Sequence, residues 1–536
     1  MKSSPNARRR FLEIATGMAL SPFALAGCAG ATSGSGPREQ EQAPIATVEQ
    51  GKLRGRGDGS VVSFKRVPYA ANPYVPERRF LEPHPMPAWD GVRDATLTGP
   101  MPPQPARPPA HGMWGAPDDM TLNIWAPRNA QGAPVLVFIP GGAFFRADAS
   151  ESWSDGSAFA RDGIVAVTIN YRVGIDGFMW IDDAPANRGL LDQVAALQWV
   201  QRNIAAFGGD PSKVTLAGQS AGAQSVLTQM AAPVARGTFQ RAIAESPAGS
   251  VFTPELARRI THETSAILNV QATRAGFAQV PMERLVATCS EMARRYHAPV
   301  MRGRIGHPPY LPVVDGHVQA GSVLADLRRA APAGMPLLTG CTDEETRLYL
   351  VPGGQIDRIQ PAALHDAFSR THLPGSNAEQ VYGSLFAQPS PGDLYAAFLS
   401  DETFRMVALR AAEIRVAAGD PVWFYNYGWP SRALGGRLGA AHVTDLPYFF
   451  DTLDTDQAKD MLGGEGNRAL ANKMHAAWVS FIRGSDPGWP QYNLSERPTM
   501  HFDEHSDLMH DPMSARRRLW KDVPLPEVMG ADGGPG

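Results

Sequence analysis

The sequence predicts an α/β fold with a large, mostly parallel central sheet flanked by helices, and three observations carry that prediction. First, LNIWAP (122–127), VLVFI (135–139), IVAVTIN (164–170) and VTLAG (214–218) are short apolar runs, most of them rich in β-branched residues, with the composition of strands buried on both faces. Second, GLLDQVAALQWVQRNIAAFGGDP, between the last two runs, sets Leu190, Val194, Leu197 and Ile204 at helical spacing and stops at Gly208, Gly209 and Pro211. Strand, helix, strand in that order implies a parallel crossover. Third, VTLAGQSAGAQSV places Ser220 between Gly218 and Gly222, where a strand pattern abuts a helix pattern.

The N-terminus reads as an address. NARRRFLEIATGMALSPFALAGCAG has a basic start and then an apolar stretch of about 14 residues ending in small ones, which fits a secretory signal over 1–27 and is too short to span a bilayer. Arg8, Arg9, Phe11 and Leu12 resemble a twin-arginine export motif, and Leu25-Ala26-Gly27-Cys28 resembles a bacterial lipobox. Together these imply export and a lipidated Cys28, in the periplasm or anchored to a membrane. The polar, Gly/Ser/Pro-containing stretch 28–44 reads as a flexible tether. From 46 to 67, alternation around GRGDG predicts a small antiparallel hairpin sheet. Beyond Ser246, amphipathic helical stretches alternate with Pro/Gly-rich loops, the pattern of insertions that often supply a lid, and 526–536 is expected to be a disordered tail.

Composition narrows the function. A chain of 536 residues suggests three or four units at roughly 150 residues each, although large α/β enzymes often run as one. With 50 basic and 53 acidic residues the net charge is -3, so no broad positive field favours nucleic acid as a partner. After Cys28 only Cys289 and Cys341 remain, too few for a disulfide framework and at no metal-site spacing; neither metal nor cofactor is expected.

A serine at the tip of a tight strand-to-helix turn adopts a strained backbone, and glycine two residues away on either side removes the collision with the crossing chain. The turn exposes the hydroxyl, and the helix that follows starts with amides that favour developing negative charge. An oxyanion hole fits the run VLVFIPGGAFF, where the amides of Gly142 and Ala143, with that of Ala221, converge on a tetrahedral oxyanion. A serine hydroxyl also needs a base and a carboxylate to hold that base. Candidate acids are Asp343, Glu344 and Glu345 in LLTGCTDEETRLYL; candidate bases are His365, His372, His442, His475, His501, His505 and His510.

NRGLLDQVAALQWVQRNIAAFGGDPSKVTLAGQSAGAQSV resembles the type-B carboxylesterase and cholinesterase family almost residue for residue. RFLEPHPMPAWDGVRDATLTGP, LNIWAP, NYRVGIDGF and PVVDG resemble its other blocks, and the similarity runs from about residue 45 to about residue 503. The resemblance implies one α/β-hydrolase domain over 45–525, with a small N-terminal antiparallel sheet and helical insertions. It also implies hydrolysis of a small carboxylic ester through a Ser, Glu, His triad and an acyl-enzyme, without a cofactor. It places the base at His442, in GAAHVTDLPYFF, and the acid at Glu345, with Glu344 one position away as the alternative. Asp343 and Glu344 are then expected to be surface charges of the loop.

The chain departs from the family pattern at Pro140, where His or Tyr is usual, at Ala143, commonly Gly, and at Gln219, usually Glu. Asp119 stands where the family usually has a cysteine before LNIW. Trp114, Phe144, Phe145 and Tyr448 are candidates to line the acyl and alcohol pockets. Transfer of the acyl group to an alcohol would use the same residues. A non-catalytic binding member of the family is the other alternative, opposed by the filled triad positions.

Overall fold

The computed structural model describes residues 43–106, 110, 112–297 and 308–530. The expected export segment 1–27, Cys28, most of the expected tether and residues 531–536 lie outside the described residues.

Twelve strands form the central sheet: β1 (Arg56–Asp58), β2 (Val61–Ala71), β3 (His84–Pro85), β4 (Met120–Pro127), β5 (Ala133–Ile139), β6 (Val165–Ile169), β7 (Gly209–Gln219), β8 (Arg241–Glu245), β9 (Leu337–Thr342), β10 (Val422–Tyr427), β11 (Pro498–Phe502) and β12 (Leu508–His510). Their spatial order is β12-β11-β10-β9-β8-β7-β5-β6-β4-β2-β1, with β3 paired to β2. From β6 to β11 every neighbouring pair is parallel, while β4, β2, β1 and β12 add antiparallel edges. The expected hairpin at GRGDG is present, with Asp58 opposite Val61. Ile45–Val48, Gly51–Arg54 and Val92–Asp94 form a separate three-stranded sheet.

The central strands read as unbroken apolar runs because both faces of the sheet are covered. Along β5, Val135, Val137 and Ile139 enter one core while Leu136 and Phe138 enter the other. The first core is closed by helix α1 (Arg188–Asn203), through Leu190, Val194, Leu197 and Trp199, and by α2 (Ala221–Ala231), through Ala223, Val226 and Leu227. A long insertion carries α3 (Pro391–Ser400), a π-helical turn (Asp401–Arg405) and α4 (Met406–Ala417). Helix α5 (Arg468–Ile482) closes the second core with Leu470, Met474, Trp478 and Phe481. The parallel crossover expected between IVAVTIN and VTLAG is present, with α1 as its helix; β6 and β7 lie on either side of β5.

One expectation changes. Val528–Met529 pairs in parallel with Val251–Phe252, and Val251 N–H donates to Glu527 O at 2.8 Å. Residues 526–530 therefore belong to the folded body, because the backbone groups of that short strand need partners. Cys289 and Cys341 are both buried and free.

The loop after β6 is fixed to α1 by an ion pair inside the core. Arg172 Nε and Nη2 donate to Asp192 at 2.8 and 2.7 Å, the Arg172 backbone N–H donates to the same carboxylate at 3.0 Å, and Nη1 donates to Leu81 O at 2.7 Å. Both side chains are almost wholly excluded from solvent. Removing one partner leaves the other charge buried and uncompensated, so Asp192→Ala should cost about 3–5 kcal/mol, read as a lowered midpoint of urea unfolding.

Candidate active site

Strand β7 ends at Gln219 and α2 begins at Ala221, so the reversal falls on Ser220 alone, at φ 59° and ψ -123°. Such a conformation costs a non-glycine residue about 1–3 kcal/mol and persists only where the surroundings enforce it. They do so through the Ser220 N–H, which donates to Glu245 O at 2.9 Å, and through Ser220 O, which accepts from Gln224 N–H at 2.9 Å. A Cβ at Gly218 would meet the Gly222 carbonyl carbon at 2.5 Å, and one at Gly222 would collide with Ile139 O. The two glycines are therefore a packing requirement of the turn.

The loop after β5 passes directly over this serine. A Cβ on Gly141 would lie 3.0 Å from Ser220 Cβ and 2.7 Å from Gln219 O. Gly142, Ala143 and Phe144 all have positive φ, at 122°, 57° and 57°. Gly142 is required because a Cβ there would strike Arg146 O. The loop is held by Tyr171 Oη donating to Pro140 O at 2.9 Å and by Gly174 N–H donating to Phe144 O at 2.8 Å. Gly142 and Ala143 are exposed, and among the described residues no acceptor is paired with their N–H groups. The Ala221 N–H is the first amide of α2, with no acceptor inside the helix.

The acid and the imidazole come from the loops after β9 and β10, at the same carboxyl edge of the sheet. Those loops are zipped together: Glu344 N–H donates to Ala440 O at 2.9 Å, Ala440 N–H to Glu344 Oε2 at 3.0 Å, and His442 N–H to Glu345 O at 3.1 Å. Glu345 Oε2 lies 2.5 Å from His442 Nδ1. Glu345 Oε1 accepts from Ser246 Oγ at 2.6 Å and from the Thr342 N–H at 2.8 Å. Burial alone would raise the Glu345 carboxyl, but the attraction of His442 and the hydrogen bonds from His442, Ser246 and Thr342 outweigh it and hold the group below the usual range. It stays ionised at neutral pH, and the stability it lends is lost only as pH falls below the ordinary carboxylate range.

Ser220 is joined to this pair through its neighbour. The Gln219 side-chain amide lies 3.1 Å from His442 Nε2 and 3.4 Å from Nδ1. With Nδ1–H directed at Glu345, Nε2 carries the lone pair, and the hydrogen bond it accepts comes from Gln219. The Phe404 ring lies 4.4 Å from the imidazole, and Tyr349 lies 5.9 Å away on the exposed side. Phe404 sits in the π-helical turn, whose next residue, Arg405, donates Nη2 to Thr342 O and Asp343 O at 2.8 Å.

Among the other candidate residues, Asp343 and Glu344 are not surface charges. Asp343 is paired with His501 at 3.0 Å and Glu344 with Arg347 at 2.7 Å, both half-buried around a cavity of about 350 Å³. Tyr448 belongs to the second core, its ring tilted at 56° to Tyr427 with centroids 5.4 Å apart and its hydroxyl accepting from Asn467 N–H, because its short helix faces α5. Phe144 is buried against Phe178 at 4.9 Å, and Phe145 lies under the Arg146 guanidinium. Trp114 is half-buried in a strand paired with Gln104–Pro105, a segment tied to the loop after β5 by Gln104 Nε2 donating to Ala147 O. Sequence reasoning missed Ser246, Phe404 and Tyr349. Ser246 carried a readable signal, since it directly follows an apolar strand; Phe404 carried none, because DETFRM reads as continuous helix.

A parallel sheet with a serine elbow, an acid and an imidazole at its carboxyl edge defines an α/β-hydrolase. The sequence profile of the carboxylesterase family matches residues 42–520, and the chain belongs to that family. It is 32% identical over 505 residues to the para-nitrobenzyl esterase of Bacillus subtilis (strain 168), covering 88% of this chain and 98% of that one. It is 32% identical over 491 residues to the phenmedipham hydrolase of Pseudarthrobacter oxydans, covering 87% and 94%. A carboxylesterase structure from Geobacillus stearothermophilus superimposes with a TM-score of 0.78 at 34% identity, covering 89% and 99%. The protein is accordingly a hydrolase of small-molecule carboxylic esters.

Gln219 offers a direct handle on the imidazole. Gln219→Glu would put a carboxylate beside Nε2 and favour the protonated ring, which cannot act as a base. The acid limb of the pH–rate profile should move to higher pH, with activity at acidic pH falling and activity at alkaline pH largely kept; initial rates from pH 5 to 9 test this.

Proposed function

We propose that hydrolysis runs through a covalent acyl-enzyme on Ser220. His442 Nε2 takes the hydroxyl proton as Oγ attacks the ester carbonyl, and Glu345 holds the imidazole in the base tautomer and offsets the charge it gains. The amides of Gly142, Ala143 and Ala221 receive the oxyanion. His442 then gives its proton to the leaving alkoxide, and water activated by the same imidazole releases the acid. The observation that carries this reading is the direct Glu345–His442 contact, set beside a strained serine that lies beneath exposed amides. For Gln219, the reading requires its amide to yield the Nε2 position when Oγ takes it up. The two aromatic rings beside the imidazole favour esters with an apolar group on that side.

The assignment is tested by substitution. Ser220→Ala should lower kcat by about 10⁴-fold or more with folding intact, and should leave no acyl-enzyme burst with p-nitrophenyl acetate. Glu345→Gln should cost about 10³-fold or more; Glu344→Gln, which alters the clamp between loops, should cost about tenfold or less. The reverse order would move the acid to Glu344. Product partition between water and added methanol separates hydrolysis from acyl transfer.

The enzyme is further proposed to be exported and anchored through a lipid on Cys28, on the strength of LAGC at 25–28 after a basic and apolar leader. Cys28→Ser should shift it from the membrane to the soluble fraction of a bacterial host. Unchanged partition would refute the anchor.

A further inference from the structure

Behind Glu345 and His442 the fold buries two more carboxyl groups. Glu245 closes β8, and its Oε1 accepts from Trp478 Nε1 at 2.9 Å. Asp445 stands three residues after His442, and its Oδ2 accepts from Tyr425 Oη at 3.2 Å. Trp478 and Tyr425 pack edge to face at 5.0 Å, so the two acceptors are held by neighbouring donors. The remaining oxygens, Glu245 Oε2 and Asp445 Oδ1, are buried without a hydrogen-bond partner. Both side chains are fully enclosed, and among the described residues neither forms an ion pair with a lysine or arginine.

Two buried carboxylates without a cation cannot both stay ionised, since each raises the cost of charging the other. A proton retained on one carboxyl removes that group's buried charge and relieves the repulsion on the other. We propose that Glu245 and Asp445 together retain one proton at neutral pH and act as a positioning pair whose charge sets the field in which His442 accepts its own. Burial and then the charge of Asp445 push Glu245 well above the carboxylate range. Burial and then Glu345 push Asp445 up to about 7, with His442 opposing. The titratable groups around the pair are Glu345, His442, Tyr425 and Tyr427, with Cys341 beside Tyr425, so among the described residues the imidazole is the one group facing Asp445 that can carry positive charge.

The consequence follows by reciprocity. As pH rises, the pair gives one proton to solvent and keeps the other on one of its carboxyls. The anion that remains favours the imidazolium formed when Ser220 loses its proton, so the same residues make the base stronger when the pair is ionised. The pair also touches both ends of the site, because Glu245 O accepts the Ser220 N–H and the next residue, Ser246, donates to Glu345.

This inference rests on the triad reading above, and its test has an arm that needs no turnover. Infrared difference spectra of the full chain should show a buried protonated carboxyl at neutral pH that is lost in Glu245→Gln. With p-nitrophenyl acetate, the acid limb of kcat should contain two ionisations in the wild type and one in Asp445→Asn. In that variant KM should hold, while kcat at alkaline pH falls roughly 3- to 10-fold. Glu245→Gln keeps the shape of the site if Asp445→Asn fails to fold, and its added donor should move the second ionisation to lower pH. Identical acid limbs in the wild type and the folded variants, or an unchanged carboxyl band, would overturn the pair. An inactive wild-type protein that still shows the band would instead overturn the triad reading.

Discussion

The positive φ at Ser220 is the constraint on which the rest of the molecule depends. A strand and a helix can meet in one residue only if the chain folds back within the width of a glycine, and β7 and α2 meet that way because Gly218 and Gly222 lie against each other. The strain is borne by ordinary means: a backbone hydrogen bond from Ser220 to β8, the first turn of α2, and burial of that helix between the sheet and its neighbours. None of these is catalytic chemistry. They are the packing that holds the serine backbone in a conformation it would otherwise leave.

The same economy governs the acid and the base. Glu344 and Glu345 are adjacent in sequence, yet the turn they occupy sends their side chains to different tasks. Glu344 caps the Ala440 amide and pairs with Arg347, fixing the distance between two loops; Glu345 turns inward to His442, Ser246 and the Thr342 amide. The π-helical turn adds a third support, with Arg405 holding the carbonyls of Thr342 and Asp343 and Phe404 covering one face of the imidazole. A π-turn inserts an extra residue into a helical ladder and so re-aims the side chains after it.

The sheet was legible from the sequence because strands buried on both faces announce themselves as apolar runs, and the elbow because its glycines are demanded by contact. The zip between the acid and base loops was less so: residues almost a hundred positions apart pair only once β9 and β10 are neighbours. Tyr448 misled for a related reason. An aromatic soon after His442 looks like a pocket wall, but a four-residue helix turns it toward α5 and the core. Tail residues 526–530 carried no strand pattern of their own, and their order comes from the edge they complete.

Gln219 and the Glu245–Asp445 pair bear on one quantity, the charge surrounding His442. A glutamine beside Nε2 puts no carboxylate on the face of the imidazole nearest the nucleophile, and among the described residues Glu345 is the one anion in direct contact with the ring. The buried pair lies behind that contact, against Trp478 and Tyr425, where solvent screening is weak and one proton more or less is felt strongly. The two features therefore act in opposite senses. The amide adds no negative charge beside Nε2, whereas the buried pair adds negative charge behind the ring once it has given up a proton. A site so arranged sets the field at one imidazole from two sides, through residues that do not touch each other's hydrogen-bond partners.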